Sequence, residues 1–278
     1  ATSLGAGQIE LDTFRPRADW RDHVAGAAFA LRDAGIEPRG ADLLIGGDLP
    51  IGSGVSSSAA LAVATLLALC AANETPPPDG RTLARIAQSS ENRYVGTPSG
   101  IMDPFASLHG RRDHALHLDC STLEFATIRV PSDARFLLID SGVKHALVDG
   151  EYAARRADCE TAAQLLRVPV LARALDLRRV ATQLEGRVQR RARHVVTETA
   201  RVSSAAEALR SNDLARLGAL MNVSHASLRD DMEVSTPEVD MLASFAQRTP
   251  GVHGARIMGG GFGGAVVALS DALVADQA

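Results

Sequence analysis

The sequence predicts an α+β protein with two lobes. Four apolar runs of strand length precede residue 141, whereas residues 151–247 carry an almost continuous helical spacing of apolar side chains. A strand–glycine–strand unit closes the pattern at residues 254–269. Strands first, helices later and a final strand pair favour two mixed lobes over an alternating doubly wound sheet. We expect the boundary near residues 131–134, dividing the chain into residues 1–133 and 134–278.

The elements of the first lobe follow from periodicity and from turn-forming residues. Three consecutive prolines, Pro76 to Pro78, predict a surface break between two helices. Helices are predicted over residues 20–34, 59–72 and 81–92, and strands over residues 41–47, 115–118 and 125–130.

The second lobe is predicted to be mainly helical, with strands at its two ends. Helices are predicted over residues 151–166, 176–209, 213–228 and 237–247, and strands over residues 136–140, 254–258 and 265–269. Six arginines lie between positions 178 and 193 of this helical stretch. We expect them to form a solvated face with surface salt bridges.

Composition narrows the class of partner. The chain has 278 residues, a net charge of -4 and an isoelectric point near 6.1, which gives no electrostatic footprint for nucleic acid or for an anionic membrane. Its longest apolar run, residues 59–72, is too short to span a bilayer. The three separated cysteines are typical of a reduced, cytoplasmic protein. We therefore expect small-molecule partners, and the oligomeric state stays open.

The most informative segment is residues 50–60, which read PIGSGVSSSAA. It lies between a strand candidate and a long helix. Backbone N–H groups at such a helix N-terminus converge on one point, and the helix dipole adds positive potential there. The segment is therefore either a phosphate cradle or an ordinary serine- and glycine-rich turn. It is not the common P-loop, because no Gly-Lys-Ser/Thr follows.

Two carboxylates and a glycine run are further candidates for chemistry. Glu91 and Asp103 flank a Gly/Pro turn; they could serve a Mg²⁺–nucleotide site and a hydroxyl acceptor, or be a solvated helix residue and a helix N-cap. Residues 259–264 contain five glycines. Such density indicates either close approach of the backbone to a group such as phosphate or a tight hairpin between two strands.

These patterns coincide in one family. The chain resembles the GHMP sugar and metabolite kinases, and within them the galactokinases. The resemblance runs from about residue 20 to residue 269. It is carried by residues 50–60, 91–108 (ENRYVGTPSGIMDPFASL), 140–159 (DSGVKHALVDGEYAARRADC), 191–202 (RARHVVTETARV), 222–240 (NVSHASLRDDMEVSTPEVD) and 259–264.

The resemblance implies the two-lobed GHMP kinase fold, with a ribosomal S5 domain 2-like N-terminal lobe and a ferredoxin-like C-terminal lobe. It implies ATP and Mg²⁺, with Asp103 as the catalytic residue facing the anomeric hydroxyl of the sugar. The other implied site residues are the nucleotide-binding Pro50, Gly52, Ser53, Gly54, Val55, Ser56, Ser57 and Ser58; the metal ligands Ser58 and Glu91; the sugar-binding Gly100, Asp103 and Tyr152; and the glycine-rich Gly259, Gly260, Gly261, Gly263 and Gly264. Lys144, the only lysine, stands where the family often carries a basic residue.

The implied activity is ATP-dependent phosphorylation of a sugar at its anomeric hydroxyl, galactose above others. Residues 1–17 do not match the family's opening motif, which supplies most sugar contacts. We therefore expect a shortened N-terminal lobe and, for the 278-residue chain alone, slow or absent turnover. The alternatives are a kinase for a different sugar and a non-catalytic sugar- and ATP-binding regulator on the same fold.

Overall fold

The computed structural model describes residues 5–51, 54–97, 99–143, 148–174 and 176–272. Helices and antiparallel strands are both present, which confirms the predicted α+β class. The chain divides into an N-terminal unit, Ala1–Arg112 with Leu118–Thr127, and a C-terminal unit, Asp113–His117 with Ile128–Ala278. The lobe boundary that the sequence predicts at 133/134 stays a prediction.

The N-terminal unit is built on small apolar residues of packed helices. Its helices are α1 (Arg21–Asp33), α2 (Ser57–Ala72), α3 (Gly80–Ser89), a first π-helical turn (Ser90–Val95) and α4 (Met102–His109). Leu31, Leu66 and Leu83 are almost fully buried between α1, α2 and α3. Alanines around them let the helix axes approach closely. The three helices predicted here are confirmed, and α2 begins at Ser57, inside the serine run.

The strand predicted over residues 41–47 is wrong. These residues have no regular structure, and Leu44 is fully exposed while Ile45 is 42% exposed. A strand needs a neighbouring strand to satisfy its backbone N–H and C=O groups. Within the described ranges no strand pairs with this segment.

A hairpin follows the first unit along the chain. It consists of β1 (His114–Leu118) and β2 (Phe125–Arg129), which form a two-stranded sheet. Most of β1 belongs to the C-terminal unit, whereas β2 begins in the N-terminal unit. Both strands lie where the sequence predicts them.

Within its described residues, the C-terminal unit combines a sheet with six helical elements longer than four residues. Its elements are β3 (Ala134–Asp140), α5 (Val148–Leu165), α6 (Leu177–Gln183), α7 (Gly186–Arg210), α8 (Leu214–Ser227), a second π-helical turn (Leu228–Met232), α9 (Pro237–Arg248), β4 (Val252–Ile257) and β5 (Ala265–Asp271). The single helix predicted over residues 176–209 is two helices, because Leu184 and Glu185 have extended backbone angles. Leu184 is buried in the apolar cluster beneath α5 and α7.

The sheet is antiparallel, with strand order β3–β5–β4. In its register Leu137 opposes Ala268, and Arg256 opposes Val267 on the other side of β5. Helices α8 and α9 pack against β4. The apolar side chains between α9 and the sheet include Val239, Ala243 and Val266. This arrangement fixes both ends of the glycine run, which connects β4 to β5.

The arginine cluster departs from the predicted solvated face at one position. Arg191 is only 1% exposed. It donates to the carbonyl of Asp231 and, at 2.6 Å, to the carboxylate of Glu233. Helix α7 packs against α5 and the second π-helical turn, so a side chain between them has no access to water. The other five arginines remain at least partly exposed.

Candidate active site

The serine-rich loop ends in an uncapped helix. Gly54 and Ser56 both have left-handed backbone angles, with φ of +75° and +56°. Ser56 occupies the N-cap position of α2, yet its side chain makes no capping hydrogen bond to the helix. Gly52, Ser53 and Lys144 lie outside the described residues.

Backbone donors at the start of α2 are therefore available. Helices α3, α6, α8 and α9 satisfy N-terminal N–H groups with side chains of Asp79, Asp176, Asp213 and Thr236. At α2 only the N–H of Ala60 has an intrahelical partner among the first four, the carbonyl of Ser56. The N–H groups of Ser57, Ser58 and Ala59 can therefore bind an anion, assisted by the helix dipole.

Glu91 lies on the first π-helical turn and is only 5% exposed. Its carboxylate makes no hydrogen bond or ion pair with the part of the chain that the structure describes. Its backbone carbonyl accepts from the N–H groups of Gly96 and Thr97 at 2.9 and 3.1 Å. A largely buried glutamate whose carboxylate has no partner among the described residues offers a hard oxygen ligand, so the position suits a bound cation. The solvated-helix alternative for Glu91 does not hold.

Asp103 is the second residue of α4 and is half-buried. Its side chain makes no hydrogen bond or ion pair with the described residues, the N–H groups of this helix included. Phe105 is fully buried and packs its ring against His109 and Phe125 at centroid distances of 4.3 and 5.3 Å. This aromatic cluster anchors the body of α4, while Asp103 lies at its beginning. A Cβ placed on Gly100 would meet nothing within 4 Å, which leaves open space beside the turn.

The glycine-rich turn is part of the C-terminal unit. Gly259, Gly261, Gly263 and Gly264 have φ values of +72°, +90°, +125° and +76°. A Cβ on Gly260 would lie 3.5 Å from the ring of Tyr152, so Tyr152 on α5 faces this turn. The structure thus brings two of the predicted site elements, Tyr152 and the glycine run, together within one unit.

Close packing explains two of these glycines. A Cβ on Gly261 would lie 2.5 Å from the carbonyl oxygen of Val234, and one on Gly263 would lie 2.7 Å from that of Val143. The backbone is held there by hydrogen bonds from the N–H of Phe262 to Val234 and from Gly264 to Val143, at 2.6 and 3.2 Å. Part of the glycine requirement therefore comes from the fold itself.

We expect Gly261→Ala to lower the free energy of unfolding by about 2 kcal/mol, because strain at positive φ adds to a clash with backbone. The matched variant Gly259→Ala has positive φ but open space around it. Gly259→Ala should lower the free energy of unfolding by only about 1 kcal/mol. Urea titration of both variants measures the difference, and equal losses would contradict the steric explanation.

The residues that hold this turn were not singled out from the sequence. Arg155, one helical turn after Tyr152, donates to the carbonyls of Met232 and Glu233 at 2.8 and 3.0 Å. Its guanidinium also lies 5.4 Å from the ring centroid of Phe262. A hydrogen bond from Arg191 holds the pKa of the Glu233 carboxyl below its usual range. Tyr152 and Arg155 are three residues apart on one helix, so their side chains lie on the same face. This spacing is the only sequence feature that indicates that Arg155 also contacts the glycine-rich turn.

The described residues of the chain contain no group of three or more His, Cys, Asp or Glu side chains arranged to hold a metal ion. Any cation at Glu91 would therefore take most of its ligands from elsewhere. None of the helices in the described ranges is both long and apolar enough to cross a membrane.

Comparison with known proteins agrees with this geometry. The model of the GHMP kinases N-terminal domain matches residues 22–111, and that of the GHMP kinases C-terminal domain matches residues 205–278. The chain is 43% identical over 277 residues to a galactokinase of Actinobacillus succinogenes, covering 94% of this chain and 71% of that protein. A galactokinase of Mannheimia succiniciproducens is 42% identical over 263 residues, with 92% and 68% covered.

Solved structures of kinases have the same fold as this chain. A galactokinase of Lactococcus lactis complexed with galactose superposes with a TM-score of 0.86 at 31% identity, covering 97% of this chain and 72% of that one. A mevalonate kinase matches with a TM-score of 0.63 at 18% identity, which shows the fold alone. The chain belongs to the GHMP kinase family and is galactokinase-like within it.

Proposed function

We propose that the protein transfers the γ-phosphoryl group of ATP to the anomeric hydroxyl of galactose, yielding galactose 1-phosphate and ADP. The observation that carries the proposal is the 43% identity to a galactokinase across 94% of the chain. Three local features support it within the described residues: Ser56 does not cap α2 with its side chain, and the carboxylates of Glu91 and Asp103 have no hydrogen-bond or ion-pair partner there.

The phosphates of ATP would bind at the beginning of α2. The N–H groups of Ser57, Ser58 and Ala59 offer donors to phosphate oxygens, and the loop from Pro50 to Ser56 would wrap around them. Gly259 to Gly264 would be the glycine-rich motif of the kinase, as the family resemblance implies. Gly100 and Tyr152 would contact the sugar.

Glu91 and Ser58 would hold Mg²⁺. Mg²⁺ usually takes one or two protein oxygens and completes its shell with water and substrate phosphates. A single buried carboxylate plus a hydroxyl at the helix start fits that requirement, and the absence of a larger ligand cluster among the described residues is compatible with it. When bound, the ion neutralises charge on the β- and γ-phosphates.

Asp103 would take the proton of the anomeric hydroxyl. As the sugar oxygen forms its bond to the γ-phosphorus, the bond from phosphorus to the leaving oxygen of ADP breaks, and the proton passes to the Asp103 carboxylate. The half-buried position at the start of α4 leaves this carboxylate free for that task. Positioning and charge stabilisation supply most of the acceleration in such reactions.

The proposal is tested by measuring ADP release with a panel of sugars, with the family's opening segment supplied in cis or as a separate chain because residues 1–17 do not match it. We expect kcat/KM to be highest for galactose and much lower for glucose, mannose and N-acetylgalactosamine. A clear preference for another of these sugars would identify a different anomeric kinase. Binding of ATP and galactose without ADP release in any reaction would instead identify a regulator and contradict the proposal.

A further inference from the structure

Asn92 joins the first π-helical turn to the segment that leads into α4. The N–H of Ser99 donates to the Asn92 Oδ1 at 2.6 Å, and the Asn92 Nδ2 donates to the carbonyl of Ser99 at 3.3 Å. The Ser99 hydroxyl also donates to Oδ1 at 3.3 Å. The carboxamide therefore pairs with both backbone groups of one residue, as a neighbouring strand would. Gln88 adds a third contact to the same residue, donating to its carbonyl at 3.2 Å.

Among the described residues of this turn, which are 96, 97, 99 and 100, two are glycines. Gly96 has a left-handed backbone with φ of +84°, and Gly100 has nothing within 4 Å of its Cβ position. Glycines on both sides give the unbound segment many conformations, so ordering it requires specific contacts. Its first residues are held by the Glu91 carbonyl, which accepts from Gly96 and Thr97. Its last residues depend on Asn92 and Gln88.

Asp103 lies four residues after Ser99, in the first turn of α4, which directly follows this segment. The buried Phe105 fixes the middle of the helix, but no side chain caps its first turn. Small movements at Ser99 are therefore transmitted to Asp103 more directly than to the aromatic anchor. Since Glu91 and Asn92 are consecutive on one π-helical turn, the same local structure holds the candidate metal ligand and the turn before Asp103. Insertions of this kind in helices are frequent at functional sites.

We propose that Asn92 is a positioning residue for phosphoryl transfer, which sets the location of the Asp103 carboxylate through its hydrogen bonds to Ser99. This rests on the proposed function, in which Asp103 takes the proton of the sugar. The Asn92 carboxamide is engaged with Ser99 through both its oxygen and its nitrogen, so it would act through that residue and not on a substrate. Its loss should therefore lower kcat and leave nucleotide affinity unchanged.

Asn73 provides a matched control in the same unit. Its Oδ1 accepts from the N–H of Arg39 at 3.0 Å, and its Nδ2 donates to the carbonyl of Glu37 at 2.9 Å. Asn73→Ala therefore removes a comparable pair of side chain–backbone hydrogen bonds at the far end of α2. We expect Asn92→Ala and Asn73→Ala to lower the melting temperature to similar extents.

Kinetics of the purified protein separate the two variants. Asn92→Ala should lower kcat by about ten- to a hundredfold, because misplacement of a catalytic group by about 1 Å can cost that much. Its dissociation constant for an ATP analogue should stay within about twofold, and Asn73→Ala should keep the wild-type kcat. Gln88→Ala, which loses one contact, should lower kcat by about threefold; it replaces Asn92→Ala as the test if that variant does not fold.

A double-mutant cycle with Asp103→Asn completes the test. If Asn92 acts through Asp103, Asn92→Ala should change kcat by less than about threefold in the Asp103→Asn background. An equal fall of kcat in both backgrounds, or a wild-type kcat in Asn92→Ala while Asp103→Asn is impaired, would overturn the role of Asn92. A wild-type kcat in Asp103→Asn alone would instead contradict the proposed mechanism, so the two failures are distinguishable.

Discussion

Asp103→Asn is expected to lower kcat by about two to three orders of magnitude while leaving ATP affinity unchanged. Asparagine keeps the size of the side chain and its ability to accept a hydrogen bond, but it cannot take a proton from the sugar hydroxyl. Because the wild-type carboxylate caps no N–H group of α4, the substitution breaks no hydrogen bond within this helix. The melting temperature should therefore stay close to that of the wild type.

Steady-state kinetics at saturating galactose and ATP, together with calorimetric titration of an ATP analogue, measure these two quantities. Asp12→Asn is the control, because Asp12 is an exposed carboxylate of the same unit. It should leave kcat unchanged. An Asp103→Asn variant with most of the wild-type kcat would mean that Asp103 is only a helix-start residue.

The second large effect is expected at Glu91. Glu91→Gln should weaken Mg²⁺-dependent binding of a non-hydrolysable ATP analogue by about a hundredfold, because a neutral amide is a poor ligand for a hard dication. Binding measured in the presence of EDTA should change little. Ser58→Ala removes a neutral ligand and should weaken the Mg²⁺-dependent binding by about tenfold.

Stability gives an independent readout for the same residue. In the wild type the Glu91 side chain is largely buried, and its carboxylate has no partner in the described part of the chain. Replacing it by glutamine should therefore raise the free energy of unfolding without nucleotide by about 1 kcal/mol. The exposed Glu124 of the same unit is the control, and Glu124→Gln should alter neither quantity. A loss of stability in Glu91→Gln, with metal-dependent binding intact, would assign Glu91 to packing instead.

Periodicity was sufficient to predict most elements of this fold. The apolar spacing of α1 and of α9 reports directly which face is buried, so the helices at residues 21–33 and 237–248 could be predicted from sequence. Residues 41–47 show the limit of that argument. Their composition favours a strand, but a strand also requires a partner, and pairing is not visible in a single segment.

The residue types of the candidate site could be predicted from the sequence, but the contacts that hold these residues in place could not. Gly54, Ser56 and Glu91 could be singled out because their chemistry suits phosphate and Mg²⁺. The π-helical turn and the pairing of Asn92 with Ser99 are local, but they depend on hydrogen bonds that apolar periodicity does not report. The burial of Arg191 depends on contacts with Asp231 and Glu233, 40 and 42 residues along the chain. Arg191 shows this most clearly, because an arginine among other arginines on a helix is usually solvated.

The most direct test of the central claim is to identify the product by phosphorus NMR. The purified protein, supplied with the family's opening segment that residues 1–17 do not match, is incubated with ATP, Mg²⁺ and galactose, and the spectrum is compared with that of Asp103→Asn. We predict equal amounts of ADP and a sugar phosphate whose phosphorus couples to the anomeric proton, with little or none in the variant. Phosphate on another hydroxyl of the sugar, or equal product formation by Asp103→Asn, would contradict the account.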